Sequence, residues 1–163
     1  MKLFQSFLII LLCISQFAKA QDLKPEYQKF ISKFIQEVKS GDKEAISQHV
    51  RYPLYRDYPI PTIKNKAEFV KRYSEIFDKV LIEKITKSNP AKDWSEMGWR
   101  GIMLNQGDLW IDTDGKITAV NYQSKAEEKL KNSLIASEKK SVNGAISDFK
   151  EPVAILETSK FRI

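Results

Sequence analysis

The sequence predicts an α+β fold, in which amphipathic helices from the first half of the chain pack on an antiparallel sheet from the second half. Two observations predict this arrangement. Apolar residues recur at helical spacing along the first half, and short apolar runs alternate with glycine-containing turns in the second half. The 163 residues are enough for one hydrophobic core of ordinary size.

The first helix is predicted between Pro25 and Gly41, because proline suits the first turn of a helix and glycine suits the position after its end. Asp42 then has the side chain of a helix N-cap, which predicts a short second helix that ends before Pro53. The apolar stripe of the first helix consists of Tyr27, Phe30, Ile31, Phe34, Ile35 and Val38.

Residues 51–63 contain three prolines and three tyrosines, a composition that breaks helices and predicts an irregular edge strand with turns. A further helix is predicted after them, and it runs on or restarts through Ile85 until Asn89-Pro90 stops it. Its apolar face consists of Phe69, Val70, Tyr73, Ile76, Phe77, Val80 and Leu81.

The second half predicts a meander of antiparallel strands at residues 99–104, 108–112 and 116–122. Tight turns at residues 105–107 and 113–115 join these strands, and each turn contains a glycine. Residues 124–142 are rich in Lys, Glu, Ala and Leu, which predicts a helix. Residues 152–163 predict a further strand, and because the chain stops within that run, a truncated C-terminus is left open.

Residues 1–20 have the pattern of a secretory signal peptide. Lys2 supplies the positive start, residues 7–12 form an apolar core, and Ala18-Lys19-Ala20 is a small-x-small cleavage site. The apolar run is shorter than the roughly 20 residues that span a bilayer. Leucine rather than a small residue precedes Cys13, which argues against a lipidated cysteine. We therefore expect cleavage near Ala20 and export to the periplasm or the medium.

Charge and composition exclude several classes of function. The formal net charge is +6, and loss of the leader, which carries two lysines and no acid, lowers it to +4. These charges are scattered, so a nucleic-acid partner is not expected. Cys13 is the only cysteine, which excludes disulfides, thiolate metal sites and cysteine nucleophiles from the mature chain.

Several stretches resemble a family of uncharacterised exported bacterial proteins with a nuclear transport factor 2-like fold, also called a cystatin-like cone. They are Arg51-Tyr52-Pro53-Leu54, Ile63-Lys64-Asn65-Lys66-Ala67-Glu68-Phe69, Tyr73-Ser74-Glu75-Ile76-Phe77, Gly101-Ile102-Met103-Leu104 and Gly107-Asp108-Leu109-Trp110. The resemblance covers about residues 51–122. It implies one domain over residues 21–163, in which N-terminal helices pack on a curved antiparallel sheet and enclose a pocket. Residues 124–150 do not fit the minimal cone.

The predicted ligand-binding residues are Tyr52, Tyr55, Trp99, Arg100 and Trp110. Tryptophan side chains stack on sugars or clamp apolar ligands, and an arginine beside them suits an anion. Packing in the core of a small sheet is the alternative explanation of the tryptophans. On a strand, Trp99 and Arg100 would face opposite sides, so we expect them not to share one pocket wall.

The candidate catalytic residues are His49 and Asp57. Histidine titrates near neutral pH, which suits a general base, and related cones use a carboxylate base. The alternatives are a histidine that bonds a helix-terminal carbonyl and an aspartate on a turn. A single histidine cannot form the usual multi-histidine metal site, and Lys116 after Asp112-Thr113-Asp114-Gly115 does not fit a calcium loop. No metal and no cofactor is predicted.

The sequence favours an exported, non-catalytic binding module whose partner is a small ligand or an envelope protein or polymer. No membrane association is expected after processing, and pairing of two copies is left open. Two other functions remain open. One is an inhibitory or immunity protein against an envelope-directed enzyme, acting through the lysine-rich helix at residues 124–142. The other is an isomerase-like or cyclase-like enzyme that uses Asp57 or His49 as its base.

Overall fold

The structure of the protein is a computed structural model that describes residues 23–148. It confirms an α+β fold, with helices and an open, four-stranded antiparallel sheet. The predicted signal peptide and the predicted strand at residues 152–163 lie outside the described residues.

Five α-helices form within the described residues. They are α1 (Pro25–Ser40), α2 (Lys43–Gln48), α3 (Lys66–Ile76), α4 (Lys79–Lys87) and α5 (Lys125–Asp148). None of these five combines the length and apolar character that a membrane crossing requires. The helix predicted after residue 63 is therefore two helices, because Asp78 caps a new one by accepting a hydrogen bond from the Leu81 N–H at 2.9 Å.

The ends of α1 follow from its sequence. Pro25 stands in the first turn, and Gly41 adopts a left-handed conformation with φ of 70° that ends the helix. The predicted stripe is confirmed, since Ile31, Phe34 and Val38 are buried in the core. Asp42 caps α2 through the Ala45 N–H, as predicted.

The sheet contains β1 (Trp94–Glu96), β2 (Ile102–Leu104), β3 (Leu109–Ile111) and β4 (Ile117–Val120), in that spatial order. The predicted meander and both of its turns are confirmed. The strand predicted over residues 99–104 is wrong in its first half, because Gly98–Arg100 is a turn of 3-10 helix and only the last three residues are extended. The pairing of β1 with β2 was not predicted.

Side chains alternate between the two faces of this sheet. The inner face packs on the helices, with Phe34 of α1 meeting Trp94 of β1 edge to face at 6.4 Å between ring centroids. The buried residues of the inner face are Trp94, Ile102, Leu104, Leu109, Ile111, Ile117 and Val120. The outer face carries Met103, Trp110, Thr118 and Ala119, all half-buried. The fold therefore presents a second, partly exposed sheet surface.

The segment at residues 51–63 is irregular, as predicted. Leu54 and Ile63 form a single antiparallel bridge within it, and Val50, just before it, bridges Ile117 of β4. The Arg51 N–H donates to the Ile117 carbonyl at 2.9 Å. The segment thus begins at the outer edge of β4.

Candidate functional site

A groove on the outer face of the sheet brings together three of the predicted ligand-binding residues. Trp99, Arg100 and Trp110 line it, and we call it the tryptophan groove. Its volume is about 470 Å³. Its other lining residues are Asp112, Thr118, Ala119 and Asn121.

The 3-10 turn explains why Trp99 and Arg100 share this groove. Gly98 begins the turn and Gly101 follows it, with positive φ angles of 61° and 93°, which keeps the two residues between them out of strand alternation. The expectation that Trp99 and Arg100 face opposite sides is therefore wrong. Trp99 is 92% exposed, and the Arg100 guanidinium lies 5.9 Å from the centroid of the Trp110 ring.

A β-bulge forms the floor of the groove. Trp110 pairs with Ala119 but Ile111 pairs with Ile117, so Thr118 is the additional residue. Ile117 is buried on the inner face, whereas Thr118 and Ala119 both line the groove. The bulge thus places two consecutive small side chains beside the Trp110 ring and leaves space above them.

A second groove, of about 480 Å³, adjoins the first. We call it the glutamine groove, because Gln123 lines it together with Tyr55 and Asp57. Its other lining residues are Arg56, Thr118, Ala119, Val120 and Asn121. The Nε2 atom of Gln123 is buried and has no hydrogen-bond partner among the described residues. Since Thr118, Ala119 and Asn121 line both grooves, the two adjoin along β4 and the residues after it.

A buried ion pair supports the wall of the glutamine groove. The side chains of Arg56 and Glu127 are 4% and 0% exposed, and Arg56 Nε donates to Glu127 Oε1 at 2.7 Å. The remaining guanidinium donors bind Glu127 Oε2 and the carbonyls of Val120 and Tyr122. These contacts occupy the Arg56 guanidinium, so it joins β4 to the start of α5 rather than serving a ligand.

Asp112, at the edge of the tryptophan groove, is held by three partners. Burial alone would raise its pKa, but hydrogen bonds from the Lys116 N–H, the Arg51 guanidinium and the Asp114 N–H outweigh burial and hold the pKa below its usual value. The carboxylate therefore stays ionised and shapes the turn between β3 and β4.

We expect Asp112→Asn to lower the free energy of unfolding by about 1 kcal/mol at pH 7, because charge-assisted hydrogen bonds are lost. A carboxylate with a lowered folded-state pKa stabilises the fold above its unfolded pKa of about 4, and that contribution disappears as the pH falls through the folded value. Urea denaturation at several pH values should thus show the two proteins converging in acid. Asp114→Asn is the control, because Asp114 is 80% exposed. An unchanged difference at pH 2 would contradict the prediction.

The candidate catalytic residues do not line the tryptophan groove, although Asp57 lines the adjoining glutamine groove. His49 Nε2 lies 2.8 Å from Glu37 Oε2, and its ring meets Phe30 and Phe34 edge to face. Asp57 pairs with Lys131, and that pairing lowers the pKa of the Asp57 carboxyl. Neither residue faces a tyrosine hydroxyl in the contacts of the described residues.

The two predicted tyrosines take different positions. Tyr55 is 72% exposed and lines the glutamine groove. Tyr52 lines neither groove, because its hydroxyl donates to the Ser47 carbonyl at 3.0 Å and its ring packs on Phe69. Burial raises the pKa of Tyr52 to about 12. Tyr52 thus contributes to packing near the start of α3.

Sequence reasoning did not single out Thr118, Ala119, Asn121 or Gln123 as site residues. The first two depend on the bulge, for which the sequence carries no clear signal. Asn121 and Gln123 depend on the course of the chain between β4 and α5, where the Asn121 Nδ2 donates to the Gly107 carbonyl at 2.9 Å. The only sequence signal for Asn121 and Gln123 is that they belong to a polar run after a predicted strand.

Comparisons with protein-family models, with curated proteins and with solved structures give no match to this chain. Within residues 23–148, no cluster of three or more His, Cys, Asp or Glu side chains is placed to hold a metal ion.

Proposed function

We propose that the protein is an exported, non-catalytic binding module that holds its ligand on the outer face of the sheet, in the tryptophan groove. The observation that supports this proposal is the indole of Trp99, which is 92% exposed and lines a groove with the Arg100 guanidinium and the Trp110 ring. A tryptophan buried on folding removes roughly 150–250 Å² of surface from water. Trp99 gains almost none of that stabilisation, so folding does not account for its position, and this supports a role in binding a ligand.

The chemistry of the groove favours binding over catalysis. Asp112, the acid at the groove, is ionised and shared among three donors, which makes it a poor proton acceptor. His49 is engaged with Glu37 on the helical side of the molecule. The groove instead offers an aromatic surface, a guanidinium and an amide, the mixture typical of ligand sites.

The proposal includes the wider architecture that the resemblance implies. Residues 1–20 act as the export signal, and the mature chain adopts a nuclear transport factor 2-like cone. The ligand is then a small molecule or an envelope component. In this arrangement the working surface is the exposed face of the sheet rather than a hollow beneath the helices, where Phe34, Phe69 and Phe77 are packed in the core.

A binding assay with envelope fractions tests the proposal. Glycan, lipid and protein fractions of a bacterial envelope are added to the full chain while its tryptophan fluorescence is recorded. We expect one fraction to bind, and we expect Trp99→Ala to weaken that binding at least about tenfold, as for a central aromatic contact.

The matched control is Tyr58→Ala, which removes an exposed aromatic ring outside both grooves. Neither substitution should change the thermal stability appreciably, since both side chains are largely exposed. Equal binding by wild type and Trp99→Ala would overturn the proposal, and so would conversion of the bound component into a product.

A further inference from the structure

We infer that the ligand is an extended acidic oligosaccharide that spans the tryptophan groove and the glutamine groove. This inference depends on the proposed function and adds the class and the length of the ligand. Each groove alone, at about 470 and 480 Å³, has the size of a small-molecule pocket. Because they share Thr118, Ala119 and Asn121, the two grooves adjoin, and we call them together the trough. A ligand of several linked units can lie across both.

The tryptophan end suits a sugar ring that carries a carboxylate. A pyranose ring presents a flat face of C–H groups, which packs on an exposed indole such as that of Trp99. The Arg100 guanidinium makes no ion pair within residues 23–148, and it lies within cation–π range of the Trp110 ring at the groove. A guanidinium binds a carboxylate through two parallel hydrogen bonds.

The glutamine end suits hydroxyl groups. Gln123 lines this end of the trough, and an amide side chain pairs well with hydroxyl groups. The Asn121 amide nitrogen is already bonded to Gly107, which leaves its carbonyl oxygen as an acceptor. Hydroxyls both donate and accept, so a sugar satisfies both amides. Asp57, in the same groove, is neutralised by Lys131 and does not repel an acidic chain.

The floor of the trough disfavours an extended peptide. Peptides that bind in extended form add a strand at a sheet edge, where backbone groups are free. Here β4 is the edge strand, but backbone groups along its outer edge are already bonded. Ile117 bonds to the backbone of His49 and Arg51, and the Val120 carbonyl accepts from Arg56. Aromatic rings with amide and guanidinium groups match a glycan more closely.

The test titrates the full chain with oligogalacturonides of one to four units and with the same oligosaccharides after reduction of their carboxylates to alcohols. We expect affinity to rise with length by at least about tenfold from monomer to tetramer. We also expect the reduced forms to bind at least about tenfold more weakly.

Two variants assign the effects to the two ends. Arg100→Gln should remove the preference for the acidic over the reduced tetramer, whereas Lys92→Gln, which removes an exposed lysine that lines neither groove, should leave it unchanged. Gln123→Met should weaken binding of the tetramer but leave that of the monomer unaltered, because only the longer chain reaches it.

Several results would overturn the inference. The first two are an affinity for oligogalacturonides that does not depend on their length, and equal affinities for the acidic and the reduced oligosaccharides. The other two are no binding of any oligogalacturonide at millimolar concentration, and preferential binding of a proline-rich peptide added as a competitor. If an envelope fraction still binds through Trp99 in any of these cases, the proposed binding function survives while the oligosaccharide is excluded. If Trp99→Ala has no effect on any ligand, both fail.

Discussion

Arg56→Met is expected to lower the free energy of unfolding by about 3–5 kcal/mol, the range for removing one partner of a buried ion pair. The substitution leaves the Glu127 carboxylate, which is 0% exposed, without its cation. It also removes the donors to the carbonyls of Val120 and Tyr122. Chemical denaturation at pH 7, followed by circular dichroism, measures the loss.

The double variant Arg56→Met, Glu127→Leu should recover more than half of that loss, because it no longer buries an unpaired charge. Lys131→Met is the matched control, since its partner Asp57 lies at the surface. Exposed pairs contribute about 0–1 kcal/mol. If Arg56→Met were as mild as Lys131→Met, Arg56 would not hold β4 to α5.

Gly101→Ala is expected to cost about 3 kcal/mol or more, because two unfavourable effects combine. Gly101 has φ of 93° and ψ of −141°, a region that residues with a Cβ atom rarely adopt. An added Cβ would also lie 2.2 Å from the Ile111 carbonyl oxygen and 2.8 Å from the Asp112 Cα. Both are backbone atoms, so no side-chain rotation relieves the contact. Thermal unfolding followed by circular dichroism measures the effect.

Gly98→Ala provides the comparison at the other end of the same turn. Gly98 also has a positive φ, of 61°, but an added Cβ would meet nothing within 4 Å. We expect a cost of only about 1–2 kcal/mol. Equal costs at the two glycines would show that Gly101 does not fix the turn against β3, and that another contact positions Trp99 and Arg100.

The sequence predicts the helices well where local spacing determines them. The stripe of α1 and its ends at Pro25 and Gly41 depend on neighbouring residues alone. The break between α3 and α4 is harder to see, because apolar spacing continues through Phe77 while Asp78 caps a new helix. Strand β1 has only three residues, of which two are polar, so its pairing with β2 depends on tertiary contacts that periodicity does not reveal.

The residues of the candidate site are likewise predictable only in part. Trp99, Arg100 and Trp110 are recognised by residue type, but their common groove depends on the 3-10 turn. Thr118 lines the groove because of a β-bulge, and the bulge depends on the register between β3 and β4. Tyr52 does not line the site, because its hydroxyl donates a hydrogen bond to the Ser47 carbonyl on the helical side of the molecule. Export and the cone architecture remain predictions.

A two-dimensional nitrogen–proton NMR spectrum of the full chain tests most directly whether a ligand binds on the outer face of the sheet. Each of the three tryptophans gives one indole N–H signal. Trp94 is an internal control, since it is 2% exposed and its indole N–H donates to Ser88 Oγ at 2.8 Å. Adding the envelope fraction that binds should shift the signals of Trp99 and Trp110 and leave that of Trp94 in place. A shift of Trp94 alone, or no shift at any indole while binding is detected by another method, would contradict the proposed site.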